Sequence, residues 1–134
     1  MEITSEQRAE LVRRAEAARQ SAYAAYSNYP VGAALLTEDG NIYTGANVEN
    51  ASYPLSMCAE RVAVFKAVTA GERSILAVAV VTENGGSPCG ACRQVLSEFG
   101  PEAVVYTVDG QGDVVVETDI QRLLPHAFGP GDLP

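Results

Sequence analysis

Leu11, Ala15, Ala18 and Ala22 recur at spacings of four, three and four, which is one apolar stripe on a helix. Thr4 and Gln7 ahead of it match a capping box, and Glu6 lies in the positive first turn. Ser27, Asn28 and Pro30 are expected to end that segment. Residues 31–36 form a short apolar run, and Ile42-Tyr43 begins another. Asp39-Gly40 between the two runs is a hairpin signal. Residues 47–55 are polar and turn-like, whereas 57–70 have helical composition and stop at Gly71. Residues 75–81 are almost continuously apolar and β-branched, the pattern of a strand buried on both faces. After a loop over 83–87, residues 88–99 read as a helix. Ser87 is its expected N-cap, Pro88 its first position and Gly100-Pro101 its stop. Residues 103–108 and 114–117 read as strands around Gly110-Gln111-Gly112, with a short helix over 118–124. Helices alternating with buried strands predict an α/β layered domain with a mixed sheet.

Composition narrows the function classes. The chain has 134 residues, 47% of them hydrophobic and 19% charged, which predicts one domain over 1–134 and excludes a disordered chain. No apolar run approaches the roughly 18 residues of a membrane span, and no signal peptide is visible, so a cytoplasmic location is expected. Seventeen acidic against nine basic residues give a net charge of −8. Such a surface repels polyanions, so a small neutral molecule is a better partner than a nucleic acid polymer.

The chain holds three cysteines, an odd number that does not fit a disulfide scaffold. Cys89 and Cys92 stand at i and i+3 near a predicted helix start, where unpaired N–H groups favour thiolate. This pair alone suits zinc, a redox dithiol or two buried thiols. Cys58 begins another predicted helix, so the two helix starts can meet at one end of the sheet. Three thiolates there would hold zinc and leave a fourth position for water, the catalytic arrangement. A structural zinc site would need a fourth protein ligand, for which the sole histidine, His126, is available. Glu60 follows Cys58 by two residues and is placed to act on a zinc-polarised water.

Cys58-Ala59-Glu60 followed by Pro88-Cys89-Gly90-Ala91-Cys92 is close to the known zinc deaminase signature, in its three-cysteine form. Together with Tyr26-Ser27-Asn28-Tyr29-Pro30-Val31-Gly32-Ala33-Ala34, Asn47-Val48-Glu49-Asn50-Ala51-Ser52-Tyr53, Arg61, Arg93-Gln94 and Leu123-Leu124-Pro125-His126-Ala127-Phe128, it makes the chain resemble the small homotetrameric cytidine deaminases. The resemblance runs from about Ala17 to Leu133. It implies a three-layer α/β/α fold with a five-stranded mixed sheet. It also implies one Zn(II) per subunit on Cys58, Cys89 and Cys92, with Glu60 as proton shuttle and Arg61 offsetting the thiolate charge. Asn47 and Glu49 correspond to a ribose-binding pair, and Tyr29 to an aromatic, commonly Phe, that packs on the base. Backbone groups of Ala59 and Ser87 correspond to contacts with the pyrimidine edge. Phe128 corresponds to a residue supplied by a neighbouring subunit, near the segment of Tyr53. The implied reaction turns cytidine and 2′-deoxycytidine into uridine and 2′-deoxyuridine with release of ammonia, in pyrimidine salvage. A deaminase of a nucleoside antibiotic such as blasticidin S, and a C-x-x-C redox protein, remain the alternatives. Ala46 stands where relatives often carry Cys, at a position that is not a ligand.

Overall fold

A computed structural model describes residues 2–134. The first helix, α1 (Ser5–Arg19), opens on the expected capping box. The Gln7 amide donates to the Thr4 hydroxyl at 3.0 Å, and the Thr4 amide donates to the Gln7 side chain at 2.9 Å. Only the first half of the apolar stripe is used: Leu11 and Ala15 are buried, and the helix ends before Ala22. The amides of Gln20, Ser21 and Ala22 each donate three residues back, which tightens the last turn and stops it.

Five strands follow: β1 (Gly32–Thr37), β2 (Ile42–Ala46), β3 (Ile75–Val81), β4 (Val104–Val108) and β5 (Val114–Asp119). They form one sheet in the order β2-β1-β3-β4-β5. Only the β3–β4 pair is parallel, so the sheet is mixed as expected. A parallel pair needs a crossover, and α3 (Gly90–Phe99) supplies it between β3 and β4. The other helices are α2 (Ala59–Thr69), between β2 and β3, and the one-turn α4 (Ile120–Leu123) after β5.

The period-two alternation of the strands divides the core into two layers. Ala33, Leu35, Val78, Val80 and Val105 pack with Ala63, Val64 and Ala67 of α2 and Leu96 of α3. Ala34, Leu36, Ala77, Ala79 and Val81 face the other way, onto Leu11 and Ala15 of α1. The architecture is therefore α/β/α, with β1 and β3 buried on both faces.

Three helix starts differ from the sequence expectation. The short helix expected over 118–124 begins only at Ile120, because β5 runs on through Asp119, whose side chain accepts from the Arg122 amide as its N-cap. Cys58 is the N-cap of α2, so the helix begins at Ala59 rather than at residue 57. Cys89, not Ser87, is the N-cap of α3. Cys89 is extended (φ −68°, ψ 167°), while the Ser87 hydroxyl accepts from Arg93 Nη2 at 2.9 Å instead of capping a helix.

The height of α2 above the sheet is set by Gly45. A Cβ at that position would overlap the carbonyl oxygen of Ala59 and stand 2.6 Å from the Ala63 nitrogen. The start of α2 therefore rests on bare strand backbone. Gly32 does the same for α1, because a Cβ there would overlap the Ala15 carbonyl. Replacing Gly45 by Ala is expected to destabilise the fold by about 1–3 kcal/mol, as overpacking does. Urea denaturation of Gly45→Ala checks this, and an unchanged midpoint would show that α2 does not rest on this contact.

Candidate functional site

The N-caps of α2 and α3 converge on one face of the sheet. Cys58 and Cys89 are those caps, and Cys92 lies in the first turn of α3. The Sγ atoms stand 4.0 Å apart for Cys58–Cys89 and 3.4 Å for Cys89–Cys92. All three lie within 4.8 Å of one another and form no disulfide. Zinc–thiolate bonds of about 2.3 Å at tetrahedral angles require sulfurs about 3.8 Å apart. The observed separations bracket that value, so the donor set fits a zinc ion with one position left over.

The electrostatics favour thiolate at Cys58. The thiol of Cys58 is held well below the usual thiol range, chiefly by the neighbouring Cys92 thiol and then by Arg61. Arg61 Nη2 donates to Cys58 Sγ at 3.4 Å. Cys92 is pushed the opposite way, by Cys58 and by its burial. The buried Nε of Arg61 has no hydrogen-bond partner among the described residues. Its guanidinium is directed to the sulfur cluster and forms no ion pair with a carboxylate among the described residues.

Glu60 is only 5% exposed, yet it lines the same cavity as Cys58 and Cys89. Burial is the main cause that pushes its carboxyl up to about 7; Cys58 adds to the rise and Arg61 opposes it. A buried carboxyl poised between its two protonation states beside a metal site is equipped to move protons.

The cavity has a volume of about 510 Å³. Tyr29, Asn47, Glu49, Ala59 and Ser87 also line it, so nearly all of the expected contact residues meet there. Asn47 and Glu49 flank Val48, whose backbone bridges Tyr23 and Met57, and this extended segment turns both side chains one way. Asn47 accepts from the Val31 amide at 2.9 Å and donates to the Tyr29 carbonyl at 3.1 Å. One donor and one acceptor position of its amide are left over. Glu49 accepts from the amides of Tyr26 and Ser27, both at 2.9 Å, and from the Ser27 hydroxyl. These bonds, led by the Ser27 hydroxyl, hold its pKa below the ordinary range and leave lone-pair capacity for another donor.

Two C-terminal residues lie elsewhere. Phe128 is 58% exposed and does not line this cavity within one chain. Its carbonyl accepts from Gln94 Nε2 at 2.8 Å, which ties the segment to α3. His126 sits at φ 56° in a separate depression with Glu98 and Leu124, and the metal-type cluster among the described residues contains cysteines alone. A fourth protein ligand from His126 is therefore not part of this arrangement.

Sequence reasoning missed Arg93 as an organiser of the site. Its guanidinium donates to the Pro88 carbonyl at 2.8 Å, the Leu123 carbonyl at 2.8 Å and the Ser87 hydroxyl at 2.9 Å. Its place one residue after Cys92 was the available signal. Asn84 was missed as well; it accepts from the Tyr29 hydroxyl at 2.6 Å. Nothing local announces a bond between residues 55 positions apart.

Comparison with known proteins agrees with this geometry. A family model described as the cytidine and deoxycytidylate deaminase zinc-binding region matches residues 5–108. A cytidine deaminase of Sporosarcina psychrophila is 52% identical over 126 residues, covering 92% of each chain. A cytidine deaminase of Halalkalibacterium halodurans is 49% identical over 126 residues, covering 92% of this chain and 95% of the relative. The crystal structure of cytidine deaminase from Burkholderia pseudomallei superposes with a TM-score of 0.85 at 51% identity, over 93% of this chain and 99% of that one. The three-thiol cluster thus sits in a chain that belongs, on sequence and on fold, to the zinc-dependent cytidine and deoxycytidylate deaminase family.

Proposed function

We propose that this chain hydrolyses free cytidine and 2′-deoxycytidine to uridine and 2′-deoxyuridine, releasing ammonia. The observation that carries the reading is one cavity lined by Cys58, Cys89, a buried Glu60 and a polar end formed by Asn47 and Glu49, with the buried Cys92 completing the thiol cluster. A zinc ion on Cys58, Cys89 and Cys92 would polarise a water in its open position and lower that water's pKa toward about 7. Glu60 passes on both protons of the attacking water in turn: the first goes to the ring nitrogen as the carbon–oxygen bond forms, and the second goes from the new hydroxyl to the amine as the carbon–nitrogen bond breaks and ammonia leaves. One carboxyl serves as base and then as acid, which its raised pKa suits. Arg61 donates to Cys58 and so draws off part of the negative charge of the thiolates. Tyr29 forms a wall for the base, and backbone groups of Ala59 and Ser87 meet its polar edge. Asn47 and Glu49, with their unused hydrogen-bonding capacity, receive the sugar hydroxyls. This polar end supports a nucleoside over a free base.

The exposed Phe128 supports the further reading of a homotetramer in which each site borrows that ring from a neighbour. Tyr53, 70% exposed and lining the cavity rim, lies on the surface that such a neighbour would cover. The whole of 1–134 then acts as one catalytic domain. Three free thiols suit a reducing compartment, consistent with cytoplasmic pyrimidine salvage, and no described helix is long and apolar enough to cross a membrane.

Glu60→Gln is expected to keep about one zinc per chain while kcat for cytidine falls at least about 10²-fold, the scale of general acid–base catalysis. Metal analysis beside an ammonia-release assay reads both; undiminished turnover would remove Glu60 from the mechanism. Asn47→Ala should lower kcat/KM for cytidine by about tenfold, the scale of one or two hydrogen bonds, and for 2′,3′-dideoxycytidine by much less. Equal losses on both would mean that Asn47 only supports Tyr29 and Val31. Phe128→Ala is expected to lose most activity as well, and mixing it with Glu60→Gln under subunit exchange should regain activity, because some sites then hold a native Glu60 and a borrowed native Phe128. No regain would assign Phe128 to its own chain.

A further inference from the structure

We infer that the Tyr29–Asn84 hydrogen bond latches an aromatic residue lining the cavity to the loop between β3 and α3, which makes Asn84 a positioning residue for the base. The inference rests on the nucleoside reading above. Tyr29 is held at three points. Its amide donates to the Ser27 hydroxyl at 3.0 Å, its carbonyl accepts from Asn47 at 3.1 Å, and its own hydroxyl donates to Asn84 Oδ1 at 2.6 Å. The first two bonds tie the backbone to the polar end of the cavity. The third ties the tip of the ring to the loop whose Thr82, Gly86 and Ser87 line the cavity. An aromatic ring fixed at its root and at its tip cannot swing, so the wall is set before a ligand arrives.

That loop, between β3 and α3, is braced for this contact. Thr82 Oγ1 also reaches Asn84 Oδ1, at 3.4 Å, and accepts from the Gly86 amide at 2.8 Å. The backbone of Asn84 bridges to Asp109. Gly86 leaves the space that the phenol tip occupies, because a Cβ there would stand 2.8 Å from the Tyr29 hydroxyl. The same loop leads directly to Ser87 and Cys89. The latch therefore fixes the aromatic wall relative to the loop that carries the opposing backbone contact. It defines the width of the slot between them. A phenylalanine at 29 would fill the wall but leave the loop untied.

The network contains neither a thiol nor Glu60, so its loss should weaken substrate positioning more than the chemical step. Tyr29→Phe and Asn84→Leu are each expected to raise KM for cytidine about three- to tenfold, the scale of one neutral hydrogen bond, with kcat within about twofold. The double variant should be no worse than either single one, because both remove the same bond. Asn84→Asp retains the acceptor and should restore a near-wild-type KM. Turnover of cytidine by the unmodified protein tests the substrate reading separately. With that activity present, an unmoved KM in both single variants, or additive losses in the double one, would overturn the latch. A lowered melting temperature with kinetics unchanged would equally overturn it, reducing the bond to a structural one.

Discussion

Three thiolates within 4.8 Å of one another repel strongly unless a cation lies among them. The surrounding structure is arranged to make that cluster tolerable. Two helices begin on it, and each presents the positive end of its dipole. Arg61 adds a full charge at 3.4 Å from Cys58 Sγ, in a protein whose overall charge of −8 would otherwise work against further anions. The bare backbone of Gly45 lets the start of α2 come down onto the sheet, and β3 delivers the chain to Cys89 from the middle of that sheet. The sulfurs are thus held by the meeting of two chain segments that the sheet separates in sequence and unites in space.

The remainder of the cavity is built outward from this point. Glu60 follows Cys58 into the buried side of α2, where lack of solvent raises its proton affinity. Glu49 lies in the opposite electrostatic condition, its charge stabilised by three donors from Tyr26 and Ser27. Two carboxylates in one cavity thereby meet opposite surroundings: burial raises the proton affinity of one, and hydrogen bonds lower that of the other. The two ends are mechanically linked, since Ser27 touches both Glu49 and the Tyr29 amide, and Asn47 touches the Tyr29 carbonyl.

The parts of this arrangement that were legible in the chain are those carried by local pattern. The β3 run at 75–81 and the hairpin around Asp39-Gly40 were readable because burial and turn chemistry act over a few residues. The cysteines were readable because metal ligation restricts residue type and spacing, and Glu60 because it follows Cys58 by two residues at a helix start. The α1 boundary was overextended, since alanines continue past Arg19 while the backbone has already tightened. Ser87 was an apt N-cap by composition, but Arg93 claims its hydroxyl from a full turn and more away. Such competition depends on tertiary placement, and so does the Tyr29–Asn84 contact. Neither has a period or a motif to betray it.

Gly32 and Gly45 sit one register step apart on adjacent strands, opposite Ala46 and Ala33 respectively. Through them, α1 presses on one face of the sheet and α2 on the other at nearly the same spot. At this fulcrum the layer spacing is dictated by main-chain atoms, which have no rotamers to adjust. Elsewhere the layers are separated by side chains such as Val64, Leu96 and Val105, whose volumes can be traded among neighbours. Core side chains can accordingly be exchanged among neighbours at little cost, while the start of α2 that carries Cys58 stays indexed to main-chain contacts rather than to packing.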